Sequence, residues 1–173
     1  MLNTNKIMKT GDKGIALIKH FESMHDGDLT KIGLQPKMCP AGYWTEGYGH
    51  AILDDKGQMI KGIANKELAY KYSKVKDEAT AVKSLQQDLI ARESMINSLG
   101  LTLTQNQFDA LVSFCYNIGF ANLKTSTLLK RIKTQDSENL IRFEFSKWKY
   151  ADGEIWQGLI KRRAAEADLF FSK

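Results

Sequence analysis

The sequence is short of the residues from which many small proteins build their staples and metal sites. Two cysteines, Cys39 and Cys115, in 173 residues exclude a disulfide-dense scaffold. They sit in unlike settings, Cys39 beside a Pro-Ala-Gly turn and Cys115 within an apolar helical stripe, so both are expected to be free thiols. The histidines, His20, His25 and His50, have no ligand spacing with the cysteines, so neither a metal nor any other cofactor is expected. A phosphate-binding glycine loop and a Ser-His-Asp order are both missing. No segment approaches the roughly 20 apolar residues of a membrane span. Met1 to Lys13 carry no apolar run of signal-peptide type. Membrane insertion is therefore not expected, and the chain is predicted to be made in the cytoplasm, so that if it acts on a wall another agent must release it.

What is present is ordinary globular material. The 43% hydrophobic and 26% charged residues suit one compact domain spanning residues 1–173, expected to be a monomer. A formal charge of +5 and a pI near 9.1 favour an anionic partner: nucleic acid, a membrane surface or an acidic cell wall. Positive residues are spread along the whole chain and no nucleic-acid-binding motif accompanies them, so nucleic acid is not expected as the partner.

The pattern along the chain predicts an α+β fold. Thr10 or Asp12 opens a helix of about 12–23 whose stripe is Ile15, Ile18 and Phe21, with Glu22 beside that stripe at the C-terminal end. Residues 26–63 are glycine-rich, hold both prolines and contain the β-prone run Tyr43-Trp44-Thr45 and an Asp54-Asp55-Lys56-Gly57 turn, which predicts a small β-hairpin lobe. Residues of about 65–172 read as a helical lobe. Its stripes are Val82, Leu85, Leu89 and Ile96; then Phe108, Leu111, Val112 and Cys115; then Leu128, Leu129 and Ile132; then Leu140, Phe143 and Trp148; and last Ile160, Ala164, Ala167 and Phe171. Thr104 and Gln107 have capping-box spacing, and Gly119 is placed to end the helix they start. The expected architecture is a mostly helical bundle with a small β-hairpin lobe and an active-site cleft between them.

A cleft of that kind holds an extended sugar chain, and a helix delivering a carboxylate to it meets one need of glycoside hydrolysis, a proton donor at the leaving oxygen. Glu22 fits, because burial beside Ile18 and Phe21 would favour the neutral acid. Periodicity alone favours the plainer reading of Glu22 as a surface residue at a helix end.

The run Ile18-Lys19-His20-Phe21-Glu22, followed by Cys39-Pro40-Ala41-Gly42-Tyr43-Trp44-Thr45-Glu46-Gly47-Tyr48-Gly49-His50, resembles the signature of the phage-type lysozymes, glycoside hydrolase family 24. The ordered blocks Leu103 to Phe114, Tyr116 to Gly119, Ser126 to Leu129, Trp148 and Gly158 to Glu166 extend the resemblance nearly to the C-terminus. It implies a lysozyme-like fold and a muramidase, an endolysin that cleaves the β-1,4 bond between N-acetylmuramic acid and N-acetylglucosamine in peptidoglycan, with host-cell lysis as its role and a holin-type partner for release. It implies Glu22 as the catalytic acid and Thr45 as a hydroxyl at the opposite face of the sugar. Tyr116, Asn117 and Thr127 match positions near the substrate groove. Arg163 matches an arginine facing the acid, and His50 a supporting histidine. In a regular strand Thr45 and Glu46 point to opposite sides, so Glu46 is a poor partner for Thr45.

Two departures from the family pattern stand out. Cys39 occupies the position that in many members is the catalytic Asp. It is either a base or nucleophile, if its neighbours favour the thiolate, or a turn residue. An insertion between Ser23 and Met38 brings Asp26 and Asp28, each a candidate second carboxylate or part of an ordinary Asp-Gly-Asp turn. The stereochemical course stays open. Two other readings of the chain remain: a lytic transglycosylase, and a peptidoglycan-binding module without catalysis if Cys39 abolishes turnover.

Overall fold

The computed structural model describes residues 7–173 except 25, 26, 29 and 32. Asp26 therefore lies outside the described residues. Among those described there are eight α-helices and five short strands: α1 (Asp12–Glu22), β1 (Lys37–Met38), β2 (Trp44–Glu46), β3 (His50–Ala51), α2 (Lys66–Tyr72), α3 (Glu78–Asn97), α4 (Gln105–Ile118), α5 (Phe120–Thr125), α6 (Thr127–Lys133), α7 (Glu138–Ser146), β4 (Tyr150–Ala151), β5 (Glu154–Ile155) and α8 (Gln157–Phe171). No helix among the described residues is long and apolar enough to cross a membrane. The chain divides into two compact units, one of Met1–Phe21 with Leu89–Lys173 and one of Glu22–Asp88.

The larger unit is helical, with α4 at its centre. Every residue of α4 from Phe108 to Cys115 is buried. Its neighbours include α8, and the aromatic core runs through edge-on contacts of Phe114 with Phe145 (5.2 Å) and Trp148 (5.6 Å) and of Phe145 with Phe170 (5.9 Å). α4 opens with the expected capping box, in which Thr104 and Gln107 each bond the other's backbone N–H. Gly119, at φ 82°, stops α4 but also starts α5 at Phe120, so the expected helix end is a joint between two helices.

Two helices turn a different face inward than their apolar residues suggested. On α7 the buried residues are Ile141, Glu144 and Phe145, while Leu140 and Phe143 are exposed. Trp148 lies beyond the end of α7. On α8 the buried face is Arg162, Arg163, Glu166, Ala167 and Phe170; Ile160 and Ala164 are exposed and Phe171 only half-buried. In both helices charged groups with internal partners replace apolar residues in the stripe. The lobe expected to be wholly helical also contains the β4–β5 hairpin, turned by Asp152 (φ 51°) and Gly153 (φ 82°).

The smaller unit is built on an antiparallel sheet in the order β1-β2-β3. Lys37 pairs with Thr45, and Glu46 with His50. Trp44, Ile52, Ile60 and Ala69 form its core, with Tyr70 and Tyr72 packed against them, and the Trp44 indole N–H donates to the Gly62 carbonyl (2.9 Å). The sheet begins at Lys37, well inside the expected lobe, and the unit also contains α2 and the first half of α3.

Candidate active site

α1 forms because a single stripe, with Ile18 fully buried, is flanked by charge that suits the helix dipole, Asp12 in the first turn and Lys19 and His20 in the last. Its start does not depend on Thr10 or Asp12. The Thr10 hydroxyl donates to Glu93 Oε1 (2.7 Å) instead of capping the helix. The cap is Asp109 of α4, whose carboxylate accepts from the backbone N–H of Gly11 (2.8 Å) and of Gly14 (3.2 Å). Gly14 has no room for a side chain unless its neighbours shift: an added Cβ would lie 2.6 Å from Thr10 Cγ2 and 2.8 Å from Asp109 Cβ. Glu22, half-buried, is the last residue of α1, and Ser23 follows at φ 56°, a left-handed conformation that stops the helix there. Signals for Asp109 are slight in sequence, because an aspartate inside an apolar helix marks a buried acceptor only once its donors are known.

Thr45 and Cys39 share the β1–β2 hairpin. The Cys39 N–H donates to the Tyr43 carbonyl (2.8 Å) and its own carbonyl accepts from the Gly42 N–H (2.8 Å), which closes the turn with Gly42 at φ 81°. Cys39 is half-buried and, like Cys115, a free thiol. Thr45 is buried at the middle of β2, and its hydroxyl donates to the Lys37 carbonyl (3.1 Å). Glu46 accepts from Ser73 Oγ (2.7 Å) and from the N–H groups of Lys74 (3.0 Å) and Val75 (3.0 Å), so it anchors the α2–α3 connection. Asp28 accepts from the N–H (3.2 Å) and hydroxyl (2.6 Å) of Thr30, and those bonds hold its carboxyl below the usual range: it is a turn residue.

The Gly47-Tyr48-Gly49-His50 block docks against α3. An added Cβ on Gly47 would lie 3.1 Å from the Ala81 side chain, and the Tyr48 hydroxyl donates to Glu78 (3.3 Å). His50 Nδ1 lies 2.9 Å from the Asp88 carboxylate, and this hydrogen bond raises the imidazole pKa against the opposing effect of burial. Among the described residues no group of three or more histidine, cysteine or acidic side chains could hold a metal ion.

The remaining predicted residues belong to the helical unit. Tyr116 is half-buried near the end of α4 with the Arg92 guanidinium over its ring (5.3 Å), Asn117 is exposed beside it, and Thr127 is the exposed first residue of α6. Arg163 is buried. It pairs with Glu166 (2.9 Å), donates to Asn117 Oδ1 (3.0 Å) and stacks on Phe114 (4.7 Å). Arg162 joins the same network through Glu166 (3.1 Å) and the Ser113 carbonyl (3.3 Å), and Ser113 Oγ donates to Glu166 (2.8 Å). Burial pushes the Glu166 carboxyl up, against the pull of both arginines. The Arg162 guanidinium also lies over the ring of Phe21 (5.7 Å), the residue before Glu22. Sequence reading pointed to Arg163 and passed over its neighbour, because both sit in a run that reads as a solvated face.

Residues 29–166 match the model of the phage lysozyme family. The chain belongs to the phage lysozyme family. It is 35% identical over 170 residues to an endolysin of Acyrthosiphon pisum secondary endosymbiont phage 1, covering 95% of this chain and 99% of that protein. The muramidase domain of SpmX from Asticaccaulis excentricus superposes with a TM-score of 0.69 at 30% identity, over 95% of this chain and 99% of that one. P22 lysozyme does so with a TM-score of 0.73 at 26% identity, over the same shares of each chain. The fold is lysozyme-like, and the activity of this family member is that of a glycoside hydrolase acting on peptidoglycan.

Proposed function

We propose that the chain is an endolysin in which Glu22 donates the proton to the leaving oxygen when the bond between N-acetylmuramic acid and N-acetylglucosamine breaks. The observation that carries this reading is the setting of Glu22: it ends a helix whose start is fixed by a buried carboxylate, within the same compact unit as Thr45 and Cys39. A fixed helix supplies what general-acid catalysis needs, a proton donor held within hydrogen-bond reach of one oxygen. Thr45 positions water at the opposite face. A hydroxyl that donates to a carbonyl, as Thr45 does to Lys37, presents its oxygen as an acceptor. Cys39 is the neighbouring group on the same hairpin, in the role of base or nucleophile. His50, tied to Asp88, secures β3 against α3 and takes no proton from substrate.

Tyr116, Asn117 and Thr127 are assigned to the N-acetylated sugars. Arg163 has the orienting role toward the acid that the family resemblance gives it and also holds Asn117, and Arg162 supports the same end of α1 through Phe21. We further read the chain as one monomeric functional domain that needs no cofactor. It is held in the host cytoplasm until a holin-type partner opens the way to the wall, and its role is host lysis.

The test compares the parent and Glu22→Gln on isolated peptidoglycan, by turbidity and by mass of the soluble products. Clearing by the parent alone, with reducing-end muropeptides, is expected. Anhydro products would reassign the reaction to a transglycosylase, and equal clearing by Glu22→Gln would remove Glu22 from the chemistry.

A further inference from the structure

The arm ahead of α1 is held through its backbone. Asn97 of α3 bonds both polar groups of Met8: the Met8 N–H donates to Asn97 Oδ1 (3.0 Å) and Asn97 Nδ2 donates to the Met8 carbonyl (2.9 Å). Gln105 Nε2 donates to the Lys9 carbonyl (2.8 Å) and also to Asp109 Oδ1 (2.7 Å). Glu93 Oε1 accepts from the Thr10 N–H (2.8 Å) and hydroxyl (2.7 Å). Asp109 takes the Gly11 and Gly14 N–H groups. The four clasping residues form two pairs at a spacing of four, Glu93 with Asn97 on α3 and Gln105 with Asp109 on α4, so each pair shares one helix face. Side-chain packing adds little: Ile7 is 80% exposed, and a cavity of about 610 Å³ lined partly by Ile7, Met8 and Lys9 lies beside the arm.

We infer that this clasp, with Asp109 at its centre, positions the general acid. The inference rests on the reading of Glu22 given above. Gly11 precedes the first residue of α1 and Gly14 is its third, the two places where a capping box would supply side chains, and glycine supplies none. One buried carboxylate does both jobs from another helix, so the axial position of α1 is set by α4. An α-helix of 11 residues is a short, stiff rod. A shift at its start therefore reaches Glu22 at its end, and general-acid catalysis is sensitive to misplacements of about 1 Å. None of the four residues is assigned a contact with substrate; they are positioning residues.

The experiment measures kcat and KM on soluble peptidoglycan fragments for Asp109→Ala, Asp109→Asn and Asn97→Ala. Rates are corrected to the folded fraction, and Arg131→Met serves as a control that loses ion pairs to Asp136 and Glu144 outside the clasp. Asp109→Ala is expected to lower kcat per folded molecule by about 10- to 100-fold with KM little changed. Asp109→Asn, which keeps one acceptor oxygen, should fall between it and the parent, Asn97→Ala should lose severalfold, and the control should lose nothing. A merely structural role would lower the folded fraction and leave kcat per folded molecule alone. That result for Asp109→Ala and Asn97→Ala, with Glu22→Gln inactive, would overturn the clasp and spare the acid. An active Glu22→Gln would overturn both. Should Asp109→Ala not fold, Asn97→Ala carries the same test.

Discussion

α1 and α4 meet the same physical requirement in opposite ways. Each must satisfy backbone N–H groups left over in its first turn. α4 does so within four residues, through the reciprocal bonds of Thr104 and Gln107. α1 has glycine at the corresponding places and borrows Asp109, 98 residues from Gly11 and 95 from Gly14. A local cap forms whenever the helix forms. A borrowed one exists only when the two helices are together, so the start of α1 is a tertiary contact, and the helix that carries Glu22 is tied to the core of the helical unit.

The comparison can be broken most directly at Asp109. Asp109→Ala strands two backbone donors and takes one of two acceptors from the Gln105 amide, and it should cost about 3 kcal/mol in urea denaturation. Thr104→Ala, which removes the local cap, should cost about 1 kcal/mol. Equal losses would mean that the borrowed cap is worth no more than the local one. Gly14→Ala sharpens the point. In an isolated helix alanine is favoured over glycine by about 1 kcal/mol. Here the new methyl meets Thr10 and Asp109, so a destabilisation of about 1–3 kcal/mol is expected in thermal or urea unfolding. A more stable Gly14→Ala would show that α1 and α4 can separate at little cost.

The smallest effect belongs to His50 and Asp88, another pair brought together by folding, 38 residues apart. The folded imidazole titrates above its ordinary value, so the pair stabilises the fold fully below about pH 6.5, the unfolded value. That contribution is lost as pH rises through the higher folded value. Both side chains are about a quarter exposed, which limits the effect to about 1 kcal/mol or less. Asp88→Asn should therefore narrow the stability gap between pH 5.5 and pH 8.5; an unchanged gap would mean that the pair adds nothing.

Much of the fold was legible from residue spacing. The capping box, the stripe of Leu85, Leu89 and Ile96, the core face of α4 and the opposed sides of Thr45 and Glu46 all follow from local periodicity. The β4–β5 hairpin is marked by Asp152-Gly153, a turn signal that a helical reading of the region passes over. The inward faces of α7 and α8 were not legible. Periodicity treats charge as solvent-facing, whereas Glu144 is buried against Arg131 (3.1 Å) and Lys147 (2.8 Å), and Glu166 is buried between Arg162 and Arg163. Such groups can be buried because each is paired, whether within a helix, as Glu166 is at i,i+3 and i,i+4, or across helices, as Glu144 is with Arg131; spacing alone does not tell such a buried pair from one on a solvated face.

The candidate site divides along the same line. By itself the sequence determined which residue types stand where: a glutamate at the end of an amphipathic helix, a cysteine and a threonine on a β-hairpin, and ordered blocks that resemble one family. These depend on neighbours a few residues apart, where hydrogen-bond geometry and side-chain periodicity act. Only the tertiary structure decided that Asp109 caps α1, that Asp88 holds His50, and that Arg162 lies over Phe21. The physical reason is that a buried polar group must find its partner wherever folding brings one, and distance along the chain does not limit that choice.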